Sequence, residues 1–230
     1  MKIFATSDLH GILYDLDPSG ADVVVIAGDF AKLNRLDMLG FHDQKKWVDE
    51  RFIPWTQKYT EIEFVVVPGN HDVIFDRAKA GLFPEMNFNV KFPKNVHLLL
   101  NEGIEIQGVS FYGTPNIPII NYRWAFESNG KTMKDSFSKI PENVDVLVTH
   151  SPPRIQGKFI DTSLQWGGTE FFGSYELADA ILEKSPRFVF CGHIHSGSHE
   201  PCEFGKSMIY NVARVDENYE IAYPPVVVEV

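Results

Sequence analysis

Apolar residues in this chain fall into short dense runs broken by polar or glycine-rich joints. Ten runs read as strands: 3–6, 23–27, 64–67, 96–100, 104–106, 109–112, 144–148, 188–191, 208–210 and 225–230. They are rich in Val, Ile and Phe and too short for helices, as buried strands are. Two stretches carry a helical period instead. Trp47, Val48, Phe52, Trp55 and Tyr59 form one apolar stripe, with His42 near its start and Pro54 expected to kink or interrupt it. Leu177, Ala178, Ile181 and Leu182 form the other, with Ser174 as N-cap and Pro186 just past the end. Strands alternate with helices in the first and last thirds, while 96–112 is strand-only and reads as a hairpin. The pattern predicts an α/β protein with mixed sheets. No repeat, low-complexity tract or linker interrupts it, so one domain over 1–230 is expected.

The polar joints carry the chemistry. Residues 3–6 are followed by Ser7-Asp8-Leu9-His10, and 23–27 by Gly28-Asp29. Residues 64–67 lead into Pro68-Gly69-Asn70-His71-Asp72, 144–148 into Thr149-His150, and 188–191 into Gly192-His193-Ile194-His195. Each block alone has an ordinary explanation, since turns favour Asn, Asp and Gly for backbone reasons. Five in succession, each after a buried strand, place their side chains where α/β sheets bind ligands. If 192–195 continues as extended chain, alternation puts His193 and His195 on one face.

Asp oxygen, His nitrogen and Asn carbonyl together suit Mn, Fe, Zn or Ni better than a thiolate metal or an all-oxygen calcium cage. Asp8, His10, Asp29, Asn70, His150, His193 and His195 are seven candidate ligands. Seven exceed one octahedral ion with its waters but fit two ions sharing a carboxylate.

Composition narrows the partners. A net charge of −10 argues against a broad nucleic-acid surface. A small anionic substrate stays open, because bound metal reverses the local sign. Cys191 and Cys202 are too few for a disulfide framework, and Cys191 sits in an apolar run as an inert thiol. No apolar stretch reaches membrane-span length and the N-terminus lacks a signal-peptide pattern, so no membrane partner and a cytoplasmic location are expected.

The blocks Asp8-Leu9-His10, Gly28-Asp29, Gly69-Asn70-His71-Asp72, His150 and Gly192-His193-Ile194-His195 resemble, in kind and order, those of the calcineurin-like metallophosphoesterases. Gly113-Thr114-Pro115, Asn121 to Phe126 and His150-Ser151-Pro152-Pro153 are similar to the MPPED-like branch of small phosphodiesterases. This chain has Ser151 and Asp72 where that branch often has Gly and Glu. It keeps His193, which some animal members replace by Gly. The resemblance implies a β-sandwich of two mixed sheets flanked by helices (α/β/β/α). It implies two divalent ions, Mn first, with Fe, Zn, Ni or Mg as alternatives. One ion would take Asp8, His10, Asp29 and His195, and the other Asp29, Asn70, His150 and His193. His71 resembles the family's catalytic histidine, with Asp72 orienting it, and Asn70 and His71 meet the substrate.

The expected activity is hydrolysis of a small phosphodiester, with cyclic nucleotides among the candidates. A phosphomonoesterase is the alternative, and a non-catalytic scaffold a third reading that the intact motifs disfavour. Asn116, Tyr122, Arg123 and Trp124 are candidates for the cleft wall, although Trp124 is expected in the core. His97 is expected to be structural and His199 at most to reach the rim. Eighteen phenylalanines leave room for a homodimer interface.

Overall fold

A computed structural model describes residues 1–163 and 170–230. The first sheet is built from β1 (Lys2–Thr6), β2 (Val23–Ala27), β3 (Glu63–Val67), β4 (Val96–Leu98) and β13 (Val226–Glu229). Its order is β13-β1-β2-β3-β4, with β13 antiparallel and the rest parallel. The second contains β5 (Glu102–Ile106), β6 (Val109–Thr114), β9 (Val146–Thr149), β10 (Phe188–Cys191), β11 (Cys202–Phe204) and β12 (Ser207–Asn211), ordered β11-β12-β10-β9-β6-β5. Its four inner strands are parallel and its two edges antiparallel. Two short strands, β7 (Ile117–Pro118) and β8 (Glu127–Ser128), pair separately.

Strand alternation explains the layers. Ile3, Ala5, Val23, Val25, Val65 and Val67 of the first sheet meet Phe111, Val146, Val148 and Phe190 of the second in one core. The opposite faces are also buried. Val24, Ile26, Phe64 and Val66 pack under α1 (Met38–Trp47), a π-helical turn (Val48–Phe52) and α2 (Ile53–Thr56). Leu147, Val189 and Ile209 pack under α4 (Gly130–Phe137) and α5 (Tyr175–Lys184). The short helix α3 (Arg77–Ala80) lies between. This is the α/β/β/α sandwich, and covering both faces is why the central strands read as continuous apolar runs.

Several expectations change. Residues 96–98 are not half of a hairpin: β4 joins the first sheet beside β3, and the hairpin is β5–β6 in the second. Pro54 marks an interruption rather than an end: the α-helical path of α1 gives way to the π-helical turn before it. The preceding turn widens so that the Ile53 amide reaches the Val48 carbonyl, and the proline falls in the first turn of α2, where a missing N–H costs little. Ser174 caps α5, accepting from the Leu177 amide at 3.0 Å. Ala180 takes the buried place expected for Leu182, which is half exposed. Cys191 is fully buried and reduced. Among the described residues no helix is long and apolar enough to cross a membrane.

Candidate dinuclear metal site

The carboxyl ends of β1, β2 and β3 in one sheet and of β9 and β10 in the other open at the same end of the sandwich. The loops beyond them are laced together through their backbones. The Asp8 amide donates to Gly28 O (2.9 Å), His10 to Asp29 O (2.9 Å) and Gly192 to His150 O (3.0 Å). Asp8 (φ 53°), His10 (φ 43°), Asp29 (φ 50°) and His193 (φ 69°) all lie in the left-handed region. Such a concentration of uncommon backbone marks a place where the surrounding structure dictates side-chain direction.

Close approach also requires glycine at Gly28 and Gly192. A β-carbon on Gly28 would lie 2.0 Å from His150 Nδ1, and one on Gly192 would lie 1.9 Å from Ser7 Oγ and 2.2 Å from Asp8 Oδ2.

The seven candidate ligands converge. Asp8, His10 and His195 bring ligand atoms within 4.8 Å of one another, as do Asp29, His150 and His193, and as do His10, Asp29 and His71. His150 Nδ1 faces the Ala27 carbonyl at 2.9 Å, leaving Nε2 toward Asn70 Oδ1 (3.0 Å) and Asp29 Oδ2 (3.2 Å). His195 repeats this device, with Nδ1 on Asp216 O (2.9 Å) and Nε2 on Asp8 Oδ1 (3.2 Å) and His10 Nε2 (3.4 Å). An imidazole pinned by a carbonyl on one nitrogen and aimed at oxygens with the other is a metal-ligand arrangement. The donor set, two buried carboxylates, four imidazoles and a carboxamide, therefore fits a pair of divalent ions.

Protonation in the metal-free protein agrees. Burial works to lower the His150 pKa, but the Asp29 carboxylate overrides it and lifts the imidazole to about 9. His195 is lifted to about 9 in the same way, burial being outweighed by the hydrogen bond and charge of Asp8. Asp8 and Asp29 are both held below the usual carboxylate range: burial opposes this, and their histidine partners prevail. At His10 and His193 burial outweighs the pull of the Asp29 and Asp8 carboxylates, and the rings fall to about 4 and about 3. Two protonated histidines thus neutralise charge that bound cations would otherwise neutralise.

The loop carrying Asn70, His71 and Asp72 departs from expectation. Among the described residues no hydrogen bond joins the Asp72 carboxylate to the His71 ring. That carboxylate accepts the amides of Gly69 (2.7 Å), Ala31 (2.9 Å) and Phe30 (3.3 Å), tying β2's loop to β3's. Burial, with the neighbouring Asp29 charge, pushes this carboxyl up to about 8, against the Gly69 and Ala31 amides. Gln44 of α1, fully buried, donates to His71 O (2.8 Å) and accepts from the Ile74 amide (3.2 Å). The Asp29 carboxylate accepts the His71 amide at 2.7 Å. Nor is the 192–195 segment extended. His193 and His195 converge through a turn and the left-handed His193.

A cavity of about 550 Å³ opens over the site. Ile119, Ile120, Trp124, Phe171, Phe172 and Tyr219 supply its apolar and aromatic wall. Trp124 is therefore not a core residue: its ring lies 4.3 Å from that of His71. Tyr219 packs on His10 (4.6 Å) and His195 (5.4 Å), and no sequence motif pointed to it. Among the other candidates, Asn116 is buried in hydrogen bonds to Ser128 and Thr114, and Tyr122 is exposed. Arg123 borders a separate cleft of about 300 Å³ behind His71 and Trp124. His97 pairs with Glu63 at 2.7 Å. His199 stacks on Tyr223 and contacts His195 O, outside the cavity lining.

A calcineurin-like phosphoesterase family profile matches residues 1–197. The human metallophosphoesterase domain-containing protein 1 is 26% identical, over 99% of this chain and 70% of its own length. A UPF0046 protein of Caenorhabditis elegans is also 26% identical, over 99% of this chain and 74% of its own. Among solved structures, the phosphopantetheinyl hydrolase of Mycobacterium tuberculosis shares the fold at TM-score 0.54 and 15% identity, covering 95% of this chain and 90% of that one.

Proposed function

The chain belongs to the calcineurin-like phosphoesterase family, and from that premise we propose that it hydrolyses a small phosphodiester, with cyclic nucleotides the first to try. The observation supporting a diester is the cavity. A phosphate group at the ligand cluster would fill a small part of about 550 Å³, and the remaining wall is apolar and aromatic. Such a wall suits an organic substituent that orients the phosphate and excludes water.

Asp8, His10, Asp29 and His195 would hold one ion, and Asp29, Asn70, His150 and His193 the other, with Asp29 shared. Two divalent ions, with Mn tried before Fe, Zn, Ni and Mg, would neutralise phosphate charge and acidify the water that serves as nucleophile. The protein's share is orientation and proton transfer. Ala27 and Asp216 carbonyls fix the tautomers of His150 and His195. The Asn70 carboxamide and the His71 ring face the phosphate, and His71 gives a proton to the leaving oxygen. Burial lowers the His71 pKa in the free protein, and a bound anion beside the ring favours its charged form. General-acid help of this kind contributes on the order of 100- to 10,000-fold.

The test compares bis-p-nitrophenyl phosphate with p-nitrophenyl phosphate, using metal-stripped protein with Mn restored and Asn70→Ala as control. Diester preference, lost in the variant, is expected. A preference for the monoester would replace this reading by a phosphatase.

A further inference from the structure

We propose that Trp124 is the positioning residue for His71, taking the orienting role that a neighbouring carboxylate would otherwise fill; this rests on the proton-donor role proposed above. The His71 ring nitrogens have no hydrogen-bond partner among the described residues. The nearest carboxylate in sequence, Asp72, is occupied by three backbone amides. The backbone of His71 is held at both ends, its amide by Asp29 and its carbonyl by Gln44, but the ring is not. An Asp29 carboxylate oxygen lies within 4.8 Å of a ring nitrogen but makes no hydrogen bond to it, so the contacts that meet the ring's faces and edges are aromatic. His10 meets it edge-on, with centroids 4.9 Å apart and an 88° interplanar angle. Trp124 covers it at 4.3 Å and 33°, the closer and more nearly parallel partner.

The indole is itself rigidly presented. Glu127 Oε1 accepts the amides of Ile120 (2.6 Å), Asn121 (2.7 Å) and Tyr122 (3.0 Å), and Oε2 accepts that of Trp124 (2.8 Å). Asp76 Oδ2 takes the Phe126 amide at 2.7 Å, and Lys79 Nζ donates to Tyr122 O at 2.8 Å. Six bonds from three charged side chains thus pin a short loop. Its product is one large ring laid on one imidazole. Space opens on both sides of this pair, since His71 and Trp124 line both the 550 Å³ cavity and the 300 Å³ cleft. Without the indole the imidazole could turn into either. Stacked rings gain attraction beyond their buried area, and a misoriented proton donor loses most of its effect.

The test uses methyl aryl phosphates whose leaving groups run from dinitrophenol, which needs no protonation, to phenol, which does. With Trp124→Ala, kcat for the phenyl ester should fall on the order of 100-fold, the dinitrophenyl ester far less, and KM little. Trp124→Phe should restore most of the loss, and His71→Ala should share the leaving-group dependence. Asp72→Asn should scale all esters alike. A uniform loss in Trp124→Ala, or the leaving-group dependence appearing in Asp72→Asn instead, would overturn the assignment. If the wild type cleaves none of the esters, the phosphodiesterase reading fails, and the orientation is read by NMR. The His71 ring protons should sit upfield under the indole, move on Trp124→Ala and stay put in Asp72→Asn. Unmoved resonances in Trp124→Ala would reject the proposal.

Discussion

His150 points Nδ1 at the Ala27 carbonyl 2.9 Å away and Nε2 at the Asp29 carboxylate, 3.2 Å distant, with both side chains buried. His195 does the same between Asp216 and Asp8. These two pairs give the metal-free protein a distinctive pH dependence. His150 and His195 titrate near 9 in the fold against about 6.5 unfolded. Their contribution is complete below the unfolded value and is lost as pH rises toward 9. His10 and His193 are lowered to about 4 and about 3, so the unfolded chain binds their protons first and stability falls as pH drops below about 6.5. Asp72, raised to about 8, adds to the alkaline loss and partly offsets the acid one. Chelated protein should therefore show a Tm maximum near pH 6.5, with decline on both sides. With metal restored, the His150 and His195 share of the alkaline decline should disappear, because ligation needs both deprotonated, and only the smaller Asp72 share should remain. Scanning calorimetry across pH with and without chelator checks this. A flat alkaline limb in the chelated protein would contradict it.

Gly28→Ala should damage the site more than the fold. The new methyl would overlap His150 Nδ1, and the φ of 101° is foreign to alanine. Backbone strain of this sort costs about 1–3 kcal/mol, whereas displacing His150 removes an expected ligand and unpairs Asp29. Metal stoichiometry by elemental analysis should drop below that of the wild type in protein that still unfolds cooperatively.

Gln44→Leu should show how far the helical layer supports the loop. The substitution leaves His71 O and the Ile74 amide without their partner in a buried place. An unsatisfied buried group costs about 1–3 kcal/mol, so the two should lower stability measurably in urea. Diester hydrolysis should fall further than stability accounts for, because the His71 backbone loses one of its two anchors. Activity that tracks the folded fraction alone would refute that.

How much of this was readable beforehand depends on how local the physics is. The strands 23–27 and 188–191 are written in continuous β-branched and aromatic runs because sheets and helices cover them on both sides. The seven converging side chains were legible because each follows such a run directly. What escaped depends on long-range packing. The helix Gly130–Phe137 buries only Met133, Ser136 and Phe137, too few apolar positions to show a stripe, and its start is set by the Asn129 cap. β4's choice of sheet is made by pairing with β3, not by its own residues. The convergence of His193 and His195 came from a turn that alternation does not foresee. Trp124 looked like core because its sequence cannot show the Glu127 carboxylate lifting the loop toward His71.

Tyr219 lines the cavity without being a candidate ligand, so its replacement should separate substrate binding from metal binding. It lies beyond residues 1–197, in a turn where Asp216 Oδ1 accepts the amides of Asn218 (2.8 Å) and Glu220 (3.0 Å). The same Asp216 offers its carbonyl to His195, so one short turn both steadies a candidate ligand and sets an aromatic ring against His10. Its φ of 63° is strained for tyrosine and natural for glycine. Tyr219→Gly should relieve that strain while removing the ring, which is half exposed and supports little of the core. Tm should therefore change by no more than a few degrees, the shift that about 1 kcal/mol produces. Metal content should stay intact, since Tyr219 is not among the candidate ligands. KM for the aryl diester should rise on the order of 10-fold, as loss of about 1.4 kcal/mol of aromatic contact implies. Tyr219→Phe should behave as wild type if the ring alone matters. A KM unchanged in the glycine variant would remove Tyr219 from the substrate wall.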